Sequence, residues 1–208
     1  MVDDDWKTCI KVHKGLLCQS SKYFPDHVVT HHFPHTSFSS ESVSFQSEKV
    51  AIDVINEYVQ WLYTGKIPTM KDFSQLDMEK VAMTLNFLAR AYIFGEEIKN
   101  ISWLNAVIDS FIYVHVKAGY FGLSSIIRLV YRDTVLGSPM RKLLVDIHAY
   151  NLSEAVDPAA KYKDLPNQFL LDVLVAMVKI RPAKQEDWVE HLQQDMYHQK
   201  DVGNDYNY

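Results

Sequence analysis

The sequence predicts an α+β fold that is predominantly helical, with a few short strands on one side and helical hairpins making most of the mass. Three observations predict it. Thr8, Ile10 and Val12 alternate with Cys9, Lys11 and His13 at strand period, and the apolar spacing then turns helical at His13. Val50, Val54, Ile55, Tyr58, Val59 and Leu62 recur at threes and fours, and the run closes on Gly65 with Pro68 beyond it. From residue 123 onward every periodic segment has helical spacing, beginning most clearly at Ser138-Pro139, a cap followed by Pro in the first turn.

Taken in order, His13, Leu16, Leu17, Ser20 and Phe24 fall on one helical side. Ser20 or Ser21 caps a second short turn that Pro25 stops. Residues 26–42 are rich in His, Ser and Phe without a period and read as a loop. Ser42 to Gln46 alternates, with Val43 and Phe45 on one face, and reads as a strand. Ser47 is placed as the N-cap of the next helix, with Glu48 in its first turn. Thr69 to Asp77 is a polar loop. A helix with Val81, Leu85, Leu88 and Tyr92 on one stripe follows, ended or bent at Gly95. Ile98, Ile101, Leu104, Ile108 and Phe111 continue to about His115, and the glycines of Val116 to Gly122 break the chain. Leu123 to Tyr131 is a short helix. Met140, Leu143, Leu144, Ile147 and Tyr150 form the stripe of the next, and Phe169, Leu170, Val173, Leu174 and Met177 that of the one before Pro182. Asp157-Pro158 and Leu165-Pro166 bracket a loop. A last amphipathic segment carries Trp188, Leu192 and Met196, and Asp201 to Tyr208 is expected to be disordered.

The 208 residues carry 48% hydrophobic and 23% charged side chains, ordinary for a globular protein. The net charge of -5 argues against nucleic-acid binding, which needs clustered Lys and Arg. Arg128, Arg132, Arg141 with Lys142, and Lys179, Arg181 with Lys184, are the nearest clusters and read as solvated helix faces or ends. No apolar run is long enough to span a bilayer, and Met-Val-Asp-Asp-Asp is acidic where a signal or transit peptide is basic. Two cysteines give no disulfide framework. These features place the chain in the cytoplasm or nucleus.

Val12-His13-Lys14-Gly15-Leu16-Leu17-Cys18-Gln19-Ser20-Ser21-Lys22-Tyr23-Phe24 resembles the first helical hairpin of BTB/POZ domains, where an extended segment ends in His-Lys, then Leu, Ser and Tyr-Phe. Trp61-Leu62-Tyr63-Thr64-Gly65 resembles the family's helix end downstream. Ala91-Tyr92-Ile93-Phe94 and Leu104-Asn105-Ala106-Val107-Ile108-Asp109 resemble its closing helices. Val130-Tyr131-Arg132-Asp133-Thr134 and Gly137-Ser138-Pro139-Met140-Arg141-Lys142-Leu143 resemble a pattern that follows the domain in fungal members. The resemblance implies a BTB/POZ-like domain over residues 1–115, a helical extension over 116–199 and a tail over 200–208. It implies a non-enzymatic protein–protein interaction adaptor without cofactors, and a cullin scaffold of a ubiquitin ligase as one partner. The family meets cullins partly through a hydrophobic-x-Glu motif in the loop after the Tyr-x-Gly helix. The match here is Met70-Lys71-Asp72, so Met70, Asp72 and Phe73 are the candidate contacts, with Asp where the family has Glu.

The family's dimers use a helix ahead of the first strand, and its opening hairpin needs about a dozen residues. Met1 to Val12 leave no room for both, and Asp3-Asp4-Asp5 makes a poor strand interior, so a missing or misshapen first strand, an exposed Lys14 and a monomer are expected, or a chain whose true start lies upstream.

Two constellations compete with this interpretation. His27, His31, His32 and His35 include two pairs four apart, a metal-gripping spacing on a helix, but Pro34 breaks any helix there. A small metal-binding protein or enzyme built on this loop is the alternative function, and metal content discriminates it. Cys9, His13 and Cys18 could suggest a Cys/His nucleophile, but Cys9 and His13 share a strand face without being adjacent, and a buried Cys is more often a small hydrophobe. Phosphate-binding glycine motifs and a Gly-x-Ser-x-Gly elbow are absent. Trp61, Tyr63, Trp103 and Trp188 sit on or beside helical stripes and are assigned to core packing. A third possibility is a BTB protein that has lost its partners.

Overall fold

The computed structural model describes residues 10–32, 39–43, 51–67, 77–119, 123–151 and 163–180. The architecture is α+β and mostly helical, with one two-stranded sheet. Two short helices open it, α1 (Lys14–Ser20) and α2 (Tyr23–Asp26). Ile10 to Val12 form no strand, and Thr8 and Cys9 lie outside the described residues. Pro25 falls within the first turn of α2 rather than ending it, a position where its missing N–H costs no helical bond.

The segment expected to be a loop contains an antiparallel hairpin. Strand β1 (Val28–His32) pairs with β2 (Ser39–Val43), with Val28 opposite Val43 and His32 opposite Ser39. Val29 and Thr30 are both exposed, so this strand has no face that must alternate, and no period marked it. Strand β2 starts three residues earlier than expected. Phe45, Ser47, Glu48 and Val50 lie outside the described residues.

Helix α3 (Ile52–Thr64) begins with Ala51 in the N-cap position, not Ser47, and carries Asp53 in its first turn. Val54 and Tyr58 are its buried residues. Gly65 closes it in the left-handed region, φ 66°, its N–H donating to the Trp61 carbonyl at 2.8 Å. Helix α4 (Met78–Glu97) is capped by Asp77, whose carboxylate accepts from the Glu79 and Lys80 amides. Val81, Leu85, Leu88 and Tyr92 are all buried on α4, as expected. Gly95 does not end it, since α4 runs on to Glu97. A Cβ there would stand 2.7 Å from both Trp103 Cδ1 and Leu104 Cδ2, so Gly95 permits the close approach of the next helix.

That helix, α5 (Ile101–Ala118), buries Trp103, Val107, Phe111 and Val114. The covered side is rotated from the expected stripe: Ile101 is exposed, and Leu104 and Ile108 are half-buried. Gly119 caps it at φ 58°, within the expected break. Helix α6 (Ser124–Asp133) buries Ile126, Ile127, Val130 and Tyr131. Helix α7 (Pro139–Asn151) starts at the expected Ser-Pro step, but buries Met140, Leu144, Val145 and His148 and leaves Tyr150 exposed. Helix α8 (Asn167–Ile180) packs on α7 through Phe169 and Val173. Leu170 and Leu174, expected in its buried stripe, are exposed. Buried apolar side chains from every helix from α2 to α8 belong to one hydrophobic cluster. Asp157-Pro158, the segment with Trp188, Leu192 and Met196, and the tail from Asp201 lie outside the described residues. No helix of the described residues is long and apolar enough to cross a membrane.

Candidate protein-interaction surface

The end of α3 is held by a chain of hydrogen bonds that runs through four helices. The Ser20 hydroxyl donates its single proton to the Leu17 carbonyl at 2.6 Å. Ser20 therefore accepts from the Tyr58 hydroxyl, 2.6 Å away. Tyr58 in turn accepts from Asn100 Nδ2 at 3.0 Å, and Asn100 Oδ1 accepts from the Trp103 amide at 3.0 Å. The Trp103 indole N–H ends the chain on the Ala91 carbonyl of α4 at 2.8 Å. Ser21 extends it, donating to the Ile98 carbonyl while accepting from the Tyr23 amide at 3.0 Å. Around this chain Tyr58 meets Phe94 and Trp103 edge-on, each at 5.2 Å between ring centroids, and Trp61 meets Trp103 at 5.2 Å. Burial pushes the Tyr58 phenol above its ordinary range, so it stays a donor across the neutral range.

One turn past Tyr58, Tyr63 ties the start of α1 to the end of α3. Its hydroxyl accepts from the His13 amide at 3.0 Å and lies 3.2 Å from His13 Nδ1. Tyr63 is 50% exposed, so this aromatic residue belongs to the surface rather than to the core assigned to it from sequence. Trp103 is fully buried as expected, and Trp61 is half-buried.

The chain leaves this corner at Gly65 and returns at Asp77. Ile67 packs against the core on the way out. The Lys80 amide bond, with lesser help from the Lys80 side chain and the Glu79 amide, holds the Asp77 carboxyl below its usual range, which keeps this end capped. Met70, Asp72 and Phe73 lie between these anchors and outside the described residues.

The competing constellations fare differently from how their spacing suggests. His27 stacks on Tyr23 at 3.9 Å between centroids, its Nδ1 2.7 Å from the Tyr23 carbonyl. His31 and His32 stand in β1, where residues four apart are about 13 Å apart, so no helical turn gathers these histidines. His35 lies outside the described residues. Among the described residues no group of three or more His, Cys, Asp or Glu could hold a metal ion. Cys18 is a free, half-buried thiol packed against the core, while His13 faces Tyr63.

Three of the four basic residues from the first cluster line one cleft of about 360 Å³ beside α6: Arg128, Arg132 and Arg141, with Tyr131, Asp164 and Leu165. Arg132 pairs with Asp133 at 2.6 Å. Arg141 donates to Thr134 Oγ1 and to the Tyr131 carbonyl, both at 2.9 Å, and to the Thr134 carbonyl, and lies 4.7 Å over the Tyr131 ring. It fastens the α6–α7 corner. Burial, and then the Asp172 carboxylate that accepts its hydroxyl at 2.8 Å, push the Tyr131 phenol far up.

The family model of the BTB/POZ domain matches residues 1–93. This stretch is a BTB/POZ domain. No curated protein and no solved structure matches the chain. A BTB/POZ domain is a protein–protein interaction module, and such modules are generally non-enzymatic. The Tyr58 relay, which ties this stretch to Asn100 and Trp103 beyond it, is the feature that sequence reasoning missed. Tyr58 was legible only as a stripe residue, and its partners Ser20 and Asn100 lie 38 and 42 residues away.

Proposed function

We propose that the chain is an adaptor whose partner surface is the corner between α3 and α4, with the 66–77 loop at its centre, and that the partner is a cullin scaffold of a ubiquitin ligase. The observation that carries the reading is that both ends of this loop are fixed. Gly65 and Asp77 close the two helix ends, and half-exposed Tyr63, pinned by His13, stands beside the exit. Fixed anchors present a partner with a preset frame, and preorganisation lowers the entropy cost of binding. Met70 and Phe73 supply apolar contacts and Asp72 an acidic one. Asp reaches less far than the family's Glu, and a weakened charged contact costs about 1–3 kcal/mol. The fungal-type helical extension from residue 116 completes the adaptor, which acts in the cytoplasm or nucleus. Capture of partners by the tagged full chain, identified by mass spectrometry, tests this. The expected result is a cullin that is lost with Met70→Ala/Asp72→Ala, and equal capture by the variant rejects these contacts.

A further inference from the structure

The arginines of α6 and α7, spaced in the sequence like solvated helix positions, meet around the cleft of about 360 Å³ beside Tyr131. Arg128, Tyr131 and Arg132 stand three and four residues apart on α6, so they share one side of the helix. Arg141 reaches the cleft from α7, and Asp164 and Leu165 close it ahead of α8. Much of the donor capacity here is unused. Arg128 makes no hydrogen bond or ion pair among the described residues. Arg132 commits Nε and Nη2 to Asp133. Arg141 commits Nε and Nη2 to Thr134 and the Tyr131 carbonyl. Nη1 of each, with two N–H groups, has no acceptor among the described residues.

We propose that this cleft binds a carboxylate side chain from an acidic peptide segment of a partner protein. A guanidinium offers a planar fork that matches a carboxylate. The cleft has the volume of about a dozen waters at about 30 Å³ each, enough for one or two side chains. Buried Leu165 and the Tyr131 ring give the methylenes of a Glu an apolar wall. The site lies beyond residue 93 and shares no residue with the 66–77 loop, so it stands or falls apart from the cullin reading.

Charge selects a carboxylate over a phosphate. Asp133 pairs with Arg132, Asp172 accepts from Tyr131 and Gln168 at 2.8 Å each, and Asp164 lines the cleft. Three guanidiniums and three carboxylates leave this neighbourhood neutral overall. Every negative charge added is then uncompensated, and a phosphate adds about two where a carboxylate adds one. Asp164 makes no hydrogen bond or ion pair among the described residues, and is the carboxylate that competes with the ligand for Arg128.

The test titrates a blocked hexapeptide, Gly-Leu-Glu-Leu-Gly-Gly, into the isotope-labelled full chain at neutral pH and follows the amide NMR signals. Saturable shifts are expected in residues 127–134 and 163–169. Gln in place of the peptide's Glu should weaken binding about fivefold, and Arg128→Gln about threefold, as suits exposed charge pairs. Arg128 has no internal partner, so its variant should keep the natural melting temperature, which separates lost binding from lost fold. Asp164→Asn should tighten binding about twofold by removing the competitor. No shift up to about 10 mM peptide, or equal binding of the Glu and Gln peptides, overturns the proposal. Tighter binding of a phosphoserine peptide than of the Glu peptide assigns the cleft to phosphate and also overturns it.

Discussion

Two polar devices hold this protein together, and they differ in reach. The Tyr58 relay is buried and joins α1, α3, α4 and α5 through partners 38 and 42 residues apart in the chain. The Arg141 clamp is half-buried and joins groups only 7 and 10 residues away, all within the α6–α7 corner. The first can form only when the whole domain is assembled, so it selects the tertiary arrangement. The second can form as soon as two neighbouring helices meet, so it shapes a corner. Loss of the first should therefore be global and cooperative, and loss of the second local.

The largest loss of stability is expected for Trp103→Ala. It empties a fully buried site and removes the indole bond to the Ala91 carbonyl, and should cost about 3–5 kcal/mol in urea unfolding. Asn100→Ala should follow at about 1–3 kcal/mol, because the Tyr58 oxygen loses the donor it accepts from and the Trp103 amide loses its acceptor. Combined with Tyr58→Phe it should be non-additive by at least about 0.5 kcal/mol, since one relay is being cut twice. Arg141→Lys keeps the charge and loses the fork. It should cost about 1 kcal/mol and speed hydrogen exchange across the α6–α7 corner while α4 and α5 exchange as before. Equal exchange changes in both halves would erase the distinction.

The smallest expected effect sharpens the first region. Glu57 neighbours Tyr58 on α3, and its Oε1 has no hydrogen-bond partner among the described residues. Burial raises its carboxyl above the ordinary 4.5. The folded state is then penalised only when Glu57 is charged. The penalty is absent well below pH 4.5 and complete once pH has risen past the folded value. Glu57→Gln should be slightly more stable than the natural chain at pH 7, with the difference vanishing as pH falls below 4.5. Thermal unfolding at the two pH values checks the sign.

What could be read beforehand follows the same division by reach. Gly65, the stripe of α4, and the Ser138-Pro139 start depend on neighbours within one or two turns, and local spacing displays them. The rotation of α5 does not. Ile101 and Leu104 obey the helical period as well as Trp103 and Val107 do, and local spacing cannot choose between the two stripes; packing on α4 at Gly95, which both Trp103 and Leu104 approach, is a contact the fold supplies. The hairpin of β1 and β2 was hidden for another reason: with Val29 and Thr30 both exposed, backbone pairing rather than burial defines it. At the interaction surface, the BTB/POZ motifs located the corner through Tyr63 and Gly65. The pinning of Tyr63 by His13, 50 residues away, required the fold.

The proposed cullin contact at the loop between Gly65 and Asp77 is put to the test by calorimetry of the full chain with a cullin N-terminal domain. The account predicts one-to-one binding that weakens at least tenfold in Met70→Ala/Asp72→Ala/Phe73→Ala with an unchanged melting temperature, and tightens in Asp72→Glu, which restores the longer reach. Heat traces for the natural chain no different from dilution, or binding that the triple substitution leaves intact, would contradict it.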